Sequence, residues 1–191
     1  MRSYFLTSIL IFFFINIFGQ GLRFYKEKIT MKIDKGYFHV TGIYYLTSDG
    51  NKPEVLVYPY PVDSLYGAVD SIFIYSITAN KIITPLKTDM NKTFFSIDFN
   101  HNRDQVIQIS YRQQLSGTRA EYILKSTIGW KEPLDQADYQ LIVPSTLHIS
   151  SFSIPPHDSI VTDHEVVYLW NKHDYMPSEN MVFEYKIKSP L

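Results

Sequence analysis

The chain has 191 residues, 18 Lys+Arg against 19 Asp+Glu, a formal net charge of −1, 16% aromatic residues and no cysteine. Without cysteine there are no disulfides, thiolate metal sites or Cys nucleophiles. Near-zero charge with no basic cluster argues against nucleic acid, whose binding rests on phosphate neutralisation.

The first segment, "MRSYFLTSILIFFFINIFGQG", carries one basic residue at Arg2, then an apolar run from Tyr4 to Phe18, then the small residue Gly19. That is the plan of a secretory signal peptide over residues 1–19, with cleavage leaving Gln20 first. The run is shorter than the roughly 20 residues that span a bilayer, and no later stretch is long or apolar enough to do so. The expectation is an exported chain with no stable membrane span after cleavage. Its destination would be periplasmic, outer-surface or extracellular in a bacterium. Export without cysteine suits a bacterial envelope better than a small eukaryotic secreted domain, which usually needs disulfide staples.

From there the chain is written in short runs rich in aromatic and β-branched residues, including "RFYKEKITMKID", "GYFHVTGIYYLT", "EVLVYPYPVD", "DSIFIYSI", "KTFFSIDF" and "DQVIQISYRQQL". After them come "AEYILKSTI", "DYQLIVPSTL", "ISSFSI", "EVVYLWNK" and "NMVFEYKIK". In "KTFFSIDF" the residues Phe95, Ile97 and Phe99 share a face, with Thr93 and Asp98 assigned to a less regular other side. In "NMVFEYKIK", Met181, Phe183, Tyr185 and Ile187 oppose Val182, Glu184, Lys186 and Lys188. Turn signals at 48–53, 78–80, 89–92, 99–104 and 115–119 separate the runs at the spacing of a β-sandwich or barrel. No segment after the leader reads as an amphipathic helix.

The fold expected is therefore all-β, an antiparallel two-sheet β-sandwich of the immunoglobulin-like kind, forming one domain over 20–191. A seam at Ser116-Gly117-Thr118 offers the alternative of two small packed β-domains, 20–115 and 119–191. In "TIGWKEPLDQADYQLIVP" Pro133 cannot donate to a central strand, so the chain turns a corner there. Trp130 is expected to plug the end of the sandwich at that corner as a structural anchor. An exposed sugar platform is the competing reading. "YPYP" at 58–61 reads as a strand end protecting a sheet edge, or as an extended recognition segment.

The segments "YILKSTIGWKEPLDQADYQLIVP", "YLWNKHDYMPSENMVFEYKI" and "VLVYPYPVDSLYGAVDSI" resemble exported bacterial and archaeal β-sandwich proteins of the domain-of-unknown-function 4424 kind. The resemblance implies an envelope β-protein and transfers no catalytic residue.

Candidate chemistry is sparse. His157, Asp163, His164 and His173 crowd the C-terminal third beside further acids, the residue types that hold zinc. Their spacing is poor, and no H-E-x-x-H occurs, so no metal or other cofactor is expected. There is no G-x-S-x-G for a serine nucleophile. Asp63, Asp70, Glu121 and Glu165 are carboxylates of the type that pair for glycoside hydrolysis, a pairing set by their separation in space. The functional expectation is an exported non-catalytic binding or accessory module whose partner is another envelope protein. A carbohydrate-binding or carbohydrate-cleaving protein is the alternative.

Overall fold

Alternation with a period of two puts every second side chain of a strand on one face, and here that face is nearly always apolar. The computed structural model describes residues 21–62 and 66–188. The leader expected at 1–19, Gln20 and Asp63 lie outside the described residues. The strands are β1 (Leu22–Asp34), β2 (Tyr37–Ser48), β3 (Pro53–Pro59), β4 (Val69–Ser76), β5 (Lys81–Ile82), β6 (Lys87–Asp89) and β7 (Lys92–Asp98). They continue with β8 (Asp104–Gln114), β9 (Arg119–Tyr122), β10 (Leu134–Pro144), β11 (Leu147–Phe152), β12 (Asp158–Val161), β13 (Glu165–Tyr175) and β14 (Met181–Ile187). A 3-10 turn at Lys125–Trp130 stands between β9 and β10.

The chain forms an all-β sandwich. One layer is an eight-stranded sheet in the order β12-β13-β10-β1-β2-β8-β4-β5, which takes strands from both sides of Ser116-Gly117-Thr118. The facing layer is divided into two three-stranded sheets, β3-β7-β6 and β11-β14-β9. Rings cross between the layers from both small sheets: Tyr44 of β2 meets Tyr58 of β3 at 5.8 Å, and Phe38 of β2 meets Phe183 of β14 at 6.3 Å. Strand pairing is antiparallel except for β1 with β10, which run parallel. A parallel pair needs a long crossover rather than a hairpin, and here everything from β2 to the 3-10 corner intervenes.

Local chemistry fixes the register. β1 and β2 meet at Asp34↔Tyr37 across the two residues Lys35 and Gly36, both with positive φ (49° and 79°). Two positive-φ residues in a two-residue loop make a type I′ turn, whose twist matches that of the flanking strands. In β14 Met181, Phe183 and Tyr185 are buried as expected, while Ile187, at the strand's end, is 76% exposed. In β7 Phe95 and Ile97 are buried, as is Phe99 just beyond it, and Thr93 belongs with them on the core face. Its hydroxyl lies within hydrogen-bonding distance of those of Tyr60 (3.3 Å) and Thr88 (3.3 Å). The run "AEYILKSTI" is a strand only to Tyr122, because the side-chain oxygen of Asn180 accepts the amides of Leu124 (3.0 Å) and Lys125 (2.9 Å) and starts the 3-10 turn. The tyrosines of "YPYP", Tyr58 and Tyr60, both face the core at the end of β3, an edge strand of its sheet.

Candidate functional site

A carboxylate is the residue least suited to a sandwich core, yet Glu27 in the middle of β1 is 2% exposed. The cause is a β-bulge: register with β2 slips between Phe24 and Lys26, so Tyr25 is an extra residue in the strand. One inserted residue shifts the phase of everything after it. Phe24 faces the core, and beyond the bulge Glu27 falls into line with Ile29, Met31 and Ile33, all buried. Its sheet neighbours are Ala137 on β10 and Tyr44 on β2. Ala137 is small, and Tyr139, one inward position further along β10, donates its hydroxyl to Glu27 Oε1 at 2.5 Å.

Tyr44 links the carboxyl's neighbourhood to the other layer. Its hydroxyl is 2.9 Å from that of Tyr58 at the end of β3 and 3.0 Å from that of Tyr122 at the end of β9. Its ring leans back over Gly42, where an added Cβ would stand only 2.3 Å from the phenol oxygen. Glycine at 42 is what lets the phenol reach the seam between the two small sheets. There a partly open cavity of about 60 Å³ is lined by Glu27, Tyr44, Tyr58 and Tyr122, with Phe24 and Trp130 among the apolar walls.

Burial pushes the Glu27 carboxyl up to about 7, against the pull of the Tyr139 and Tyr122 hydroxyls, which favour its charged form. Tyr44, Tyr58, Tyr122 and Tyr139 are all raised well above the usual phenol range, first by burial and then by the negative charge of Glu27 or of one another. They are neutral hydroxyls at any ordinary pH, able both to donate and to accept. The site can therefore hold a cation or a hydrogen-bond donor against one carboxyl, with phenol oxygens alongside. The ionisable groups lining the cavity are Glu27 and three phenols.

The residues singled out from the sequence lie elsewhere. His157, Asp163, His164 and His173 are all exposed. His157 precedes β12, Asp163 and His164 make the turn before β13, and His173 pairs with Gln136 near the far end of β13. His164 and His173 are thus nearly a strand length apart. Among the described residues no group of three or more His, Asp or Glu side chains is placed to hold a metal ion. Asp70 pairs with Arg112 (2.9 Å), Glu165 with Lys32 (3.1 Å), and Glu121 accepts from Asn180 (2.6 Å).

Trp130 ends the 3-10 turn half-buried, packed on the core with its ring 5.6 Å from Phe24. It walls the cavity rather than being sealed inside the sandwich. The sealed indole is Trp170, 2% exposed, whose Nε1 donates to the Ile154 carbonyl at 3.0 Å. Sequence reasoning missed Glu27 and the phenols around it. The available signal was a Glu in phase with Ile29, Met31 and Ile33 inside an otherwise regular strand.

No protein-family model and no curated protein matches the sequence. Solved structures do match the fold. A "putative nutrient binding protein" from Legionella pneumophila superposes with a TM-score of 0.66 at 11% identity, covering 86% of this chain and 67% of that one. An M1 zinc metallopeptidase from Deinococcus radiodurans superposes with a TM-score of 0.52 at 10% identity, covering 87% of this chain and 43% of the peptidase. A two-domain M1 zinc metallopeptidase mutant bound to L-tryptophan gives the same score and coverage. The chain thus spans about two thirds of the Legionella protein and less than half of the peptidases. At these identities the likeness shows a shared sandwich fold.

Proposed function

We propose that the chain is an exported, non-catalytic binding module of a bacterial cell envelope, which takes a small head group of its ligand or partner into the cavity at the seam of the two small sheets. The observation that carries this reading is one buried carboxyl ringed by phenols at a partly open cavity, positioned by β1, β2, β3, β9 and β10. Several strands converging a few polar groups on an apolar pocket is the usual anatomy of a recognition site. Glycoside hydrolysis calls on a pair of carboxyls, and this cavity is lined by one. The leader-like N-terminus, the resemblance to exported sandwich proteins, and the binding role ascribed to the Legionella neighbour support the same reading.

The carbohydrate alternative needs open aromatic faces, and a wider depression of about 390 Å³ at residues 116–119, Ser150 and residues 184–186 has Tyr185 as its single aromatic lining residue among the described residues. On the outer face of the large sheet, Tyr37 lies under the Arg112 guanidinium at 4.8 Å and Tyr45 under the Lys26 ammonium at 5.3 Å. These rings are engaged by cations. The cavity, at about 60 Å³, is well below the roughly 300–1,000 Å³ of a pocket that encloses a whole ligand, so it accepts an end group.

Two measurements test the proposal. Mass spectrometry of the envelope fraction should find the chain beginning at Gln20 or within a few residues of it, and an intact segment from Met1 to Phe18 would overturn export with cleavage. Ligand-observed NMR with a library of small amines, alcohols and carboxylates should find binders that compete for one site, and a library with no binder would overturn the pocket as a recognition site.

A further inference from the structure

We infer that the cavity is a receptor for a primary ammonium group on an unbranched carbon chain, with the Glu27 carboxylate as its counter-ion, phenol oxygens of the Tyr44 cluster as its further acceptors, and Phe24 and Trp130 against the adjoining carbon. The inference rests on the binding-module reading above and deepens it.

The first argument is charge. Among the described residues no Lys, Arg or His is hydrogen-bonded or ion-paired to Glu27. The titratable groups facing it are the phenols Tyr44 on β2, Tyr122 on β9, Tyr139 on β10 and Tyr175 on β13, with Tyr58 on β3 coupled through Tyr44. A carboxyl removed from water without a cation is costly as an anion, and the rise of its pKa to about 7 expresses that cost. An ammonium entering the cavity supplies the missing charge where a neutral donor does not.

The second argument is valence. An ammonium has three N–H donors and no acceptor, and the cavity offers a carboxylate and several phenol oxygens within one hydrogen-bonded group. The hydroxyls of Tyr58 and Tyr44 can donate in sequence to Tyr122, whose own hydroxyl favours the charged form of Glu27, which spreads its charge along the chain and leaves lone pairs on the phenol oxygens to accept from a ligand. Aromatic walls next to a carboxylate suit the polarised carbon beside a cationic nitrogen.

The third argument is size. The cavity, at about 60 Å³, is several times smaller than a pocket that encloses a whole ligand. It admits an end group. The remainder of the ligand must lie outside, past Trp130, so the class is an amine-terminated chain such as an alkylamine or a lysine side chain.

The experiment titrates the full chain with n-propylamine, n-propanol and sodium propionate, following heat and the ¹³C signal of the Glu27 carboxyl. The inference expects propylamine to bind about tenfold more weakly at pH 6 than at pH 8, because a carboxyl titrating near 7 must give up its proton to receive the cation. It also expects bound amine to shift the titration of Glu27 in the wild-type protein to lower pH. Glu27→Gln should abolish amine binding, and a retained circular dichroism spectrum with a cooperative unfolding transition shows that the variant is folded. Should that variant not fold, the wild-type carboxyl titration still decides. Propanol binding as tightly as propylamine, or propionate binding in preference, overturns the ammonium inference while leaving the pocket a binding site. If none of the three binds, both the inference and the pocket as a recognition site fall.

Discussion

Tyr44 and Tyr45 are neighbours in β2, and the sheet sends them to opposite worlds. Tyr44 is 7% exposed and its hydroxyl joins those of Tyr58 and Tyr122. Tyr45 lies half-buried on the outer face, its ring beside Tyr25 and under the Lys26 ammonium. Around Thr41 that outer face is a ladder of short polar bonds, Gln140 to Thr30 (2.7 Å) and Ser110 to Thr41 (3.1 Å) among them. Tyr44 is held by its hydroxyl and Tyr45 by the face of its ring. One residue type thus does two jobs, and only the phase of the strand decides which.

The sharpest way to break the contrast is truncation. Tyr44→Ala should lower stability by about 3–5 kcal/mol, as for other large buried rings, whereas Tyr45→Ala should stay below about 2 kcal/mol. Urea midpoints of the two proteins measure the difference directly. The two indoles give a parallel case: Trp170→Ala should cost about 3–5 kcal/mol and the half-buried Trp130→Ala only about 1–2 kcal/mol. Equal midpoints would make Trp130 the sealed anchor that the sequence suggested.

The next effect is electrostatic. Because the Glu27 carboxyl titrates near 7 in the fold and near 4.5 as an ordinary glutamate, the folded protein holds a proton that the unfolded chain has lost between those values. Stability from this group is fully present below about pH 4.5, falls as pH rises toward 7, and is lost above it. The whole change is about 3 kcal/mol. Glu27→Gln should remove that slope, read as the difference between wild-type and variant unfolding free energies from pH 4.5 to 8. A constant difference across the range would contradict the buried, unpaired carboxyl.

Smaller changes address hydrogen bonds alone. Tyr44→Phe keeps the ring and strips the hydroxyl between Tyr58 and Tyr122, a loss of about 1–3 kcal/mol for buried partners left without their bond. Gly42→Ala should cost a similar amount by displacing the phenol, and little or nothing in a Tyr44→Ala background, a non-additivity that a double-mutant cycle detects. Tyr45→Phe, on the outer face, should change stability by no more than about 0.5 kcal/mol.

How far the sequence could see follows from the same contrast. Strands β7 and β14 were legible because their alternation is local. The Lys35-Gly36 turn falls between two strand runs that alternation had already marked. Thr93, expected on the less regular other side, faces the core, where Tyr60 and Thr88 give its hydroxyl partners. Glu27 escapes notice because the phase that turns it inward depends on the bulge at Tyr25, which no local pattern marks. The His and acidic residues drew notice by type and proximity in sequence, but strand geometry separates them. Division of one layer into two sheets and the parallel pairing of β1 with β10 depend on contacts between distant segments, which no local pattern encodes.

That parallel pairing bears on how the chain is made. Glu27 and its partner Tyr139 are 112 residues apart, so the local β1–β2 hairpin can pair before β10 is in place. Through that interval one edge of β1 has no neighbour, and long-range pairing of this kind is slow. The carboxylate is then in water and ionised, a negative charge set among Phe24, Ile29, Met31 and Ile33 on the face most prone to stick to another chain. A charge in that position opposes association of the open face with another chain, and once the phenol of Tyr139 closes over it the same side chain becomes part of the core.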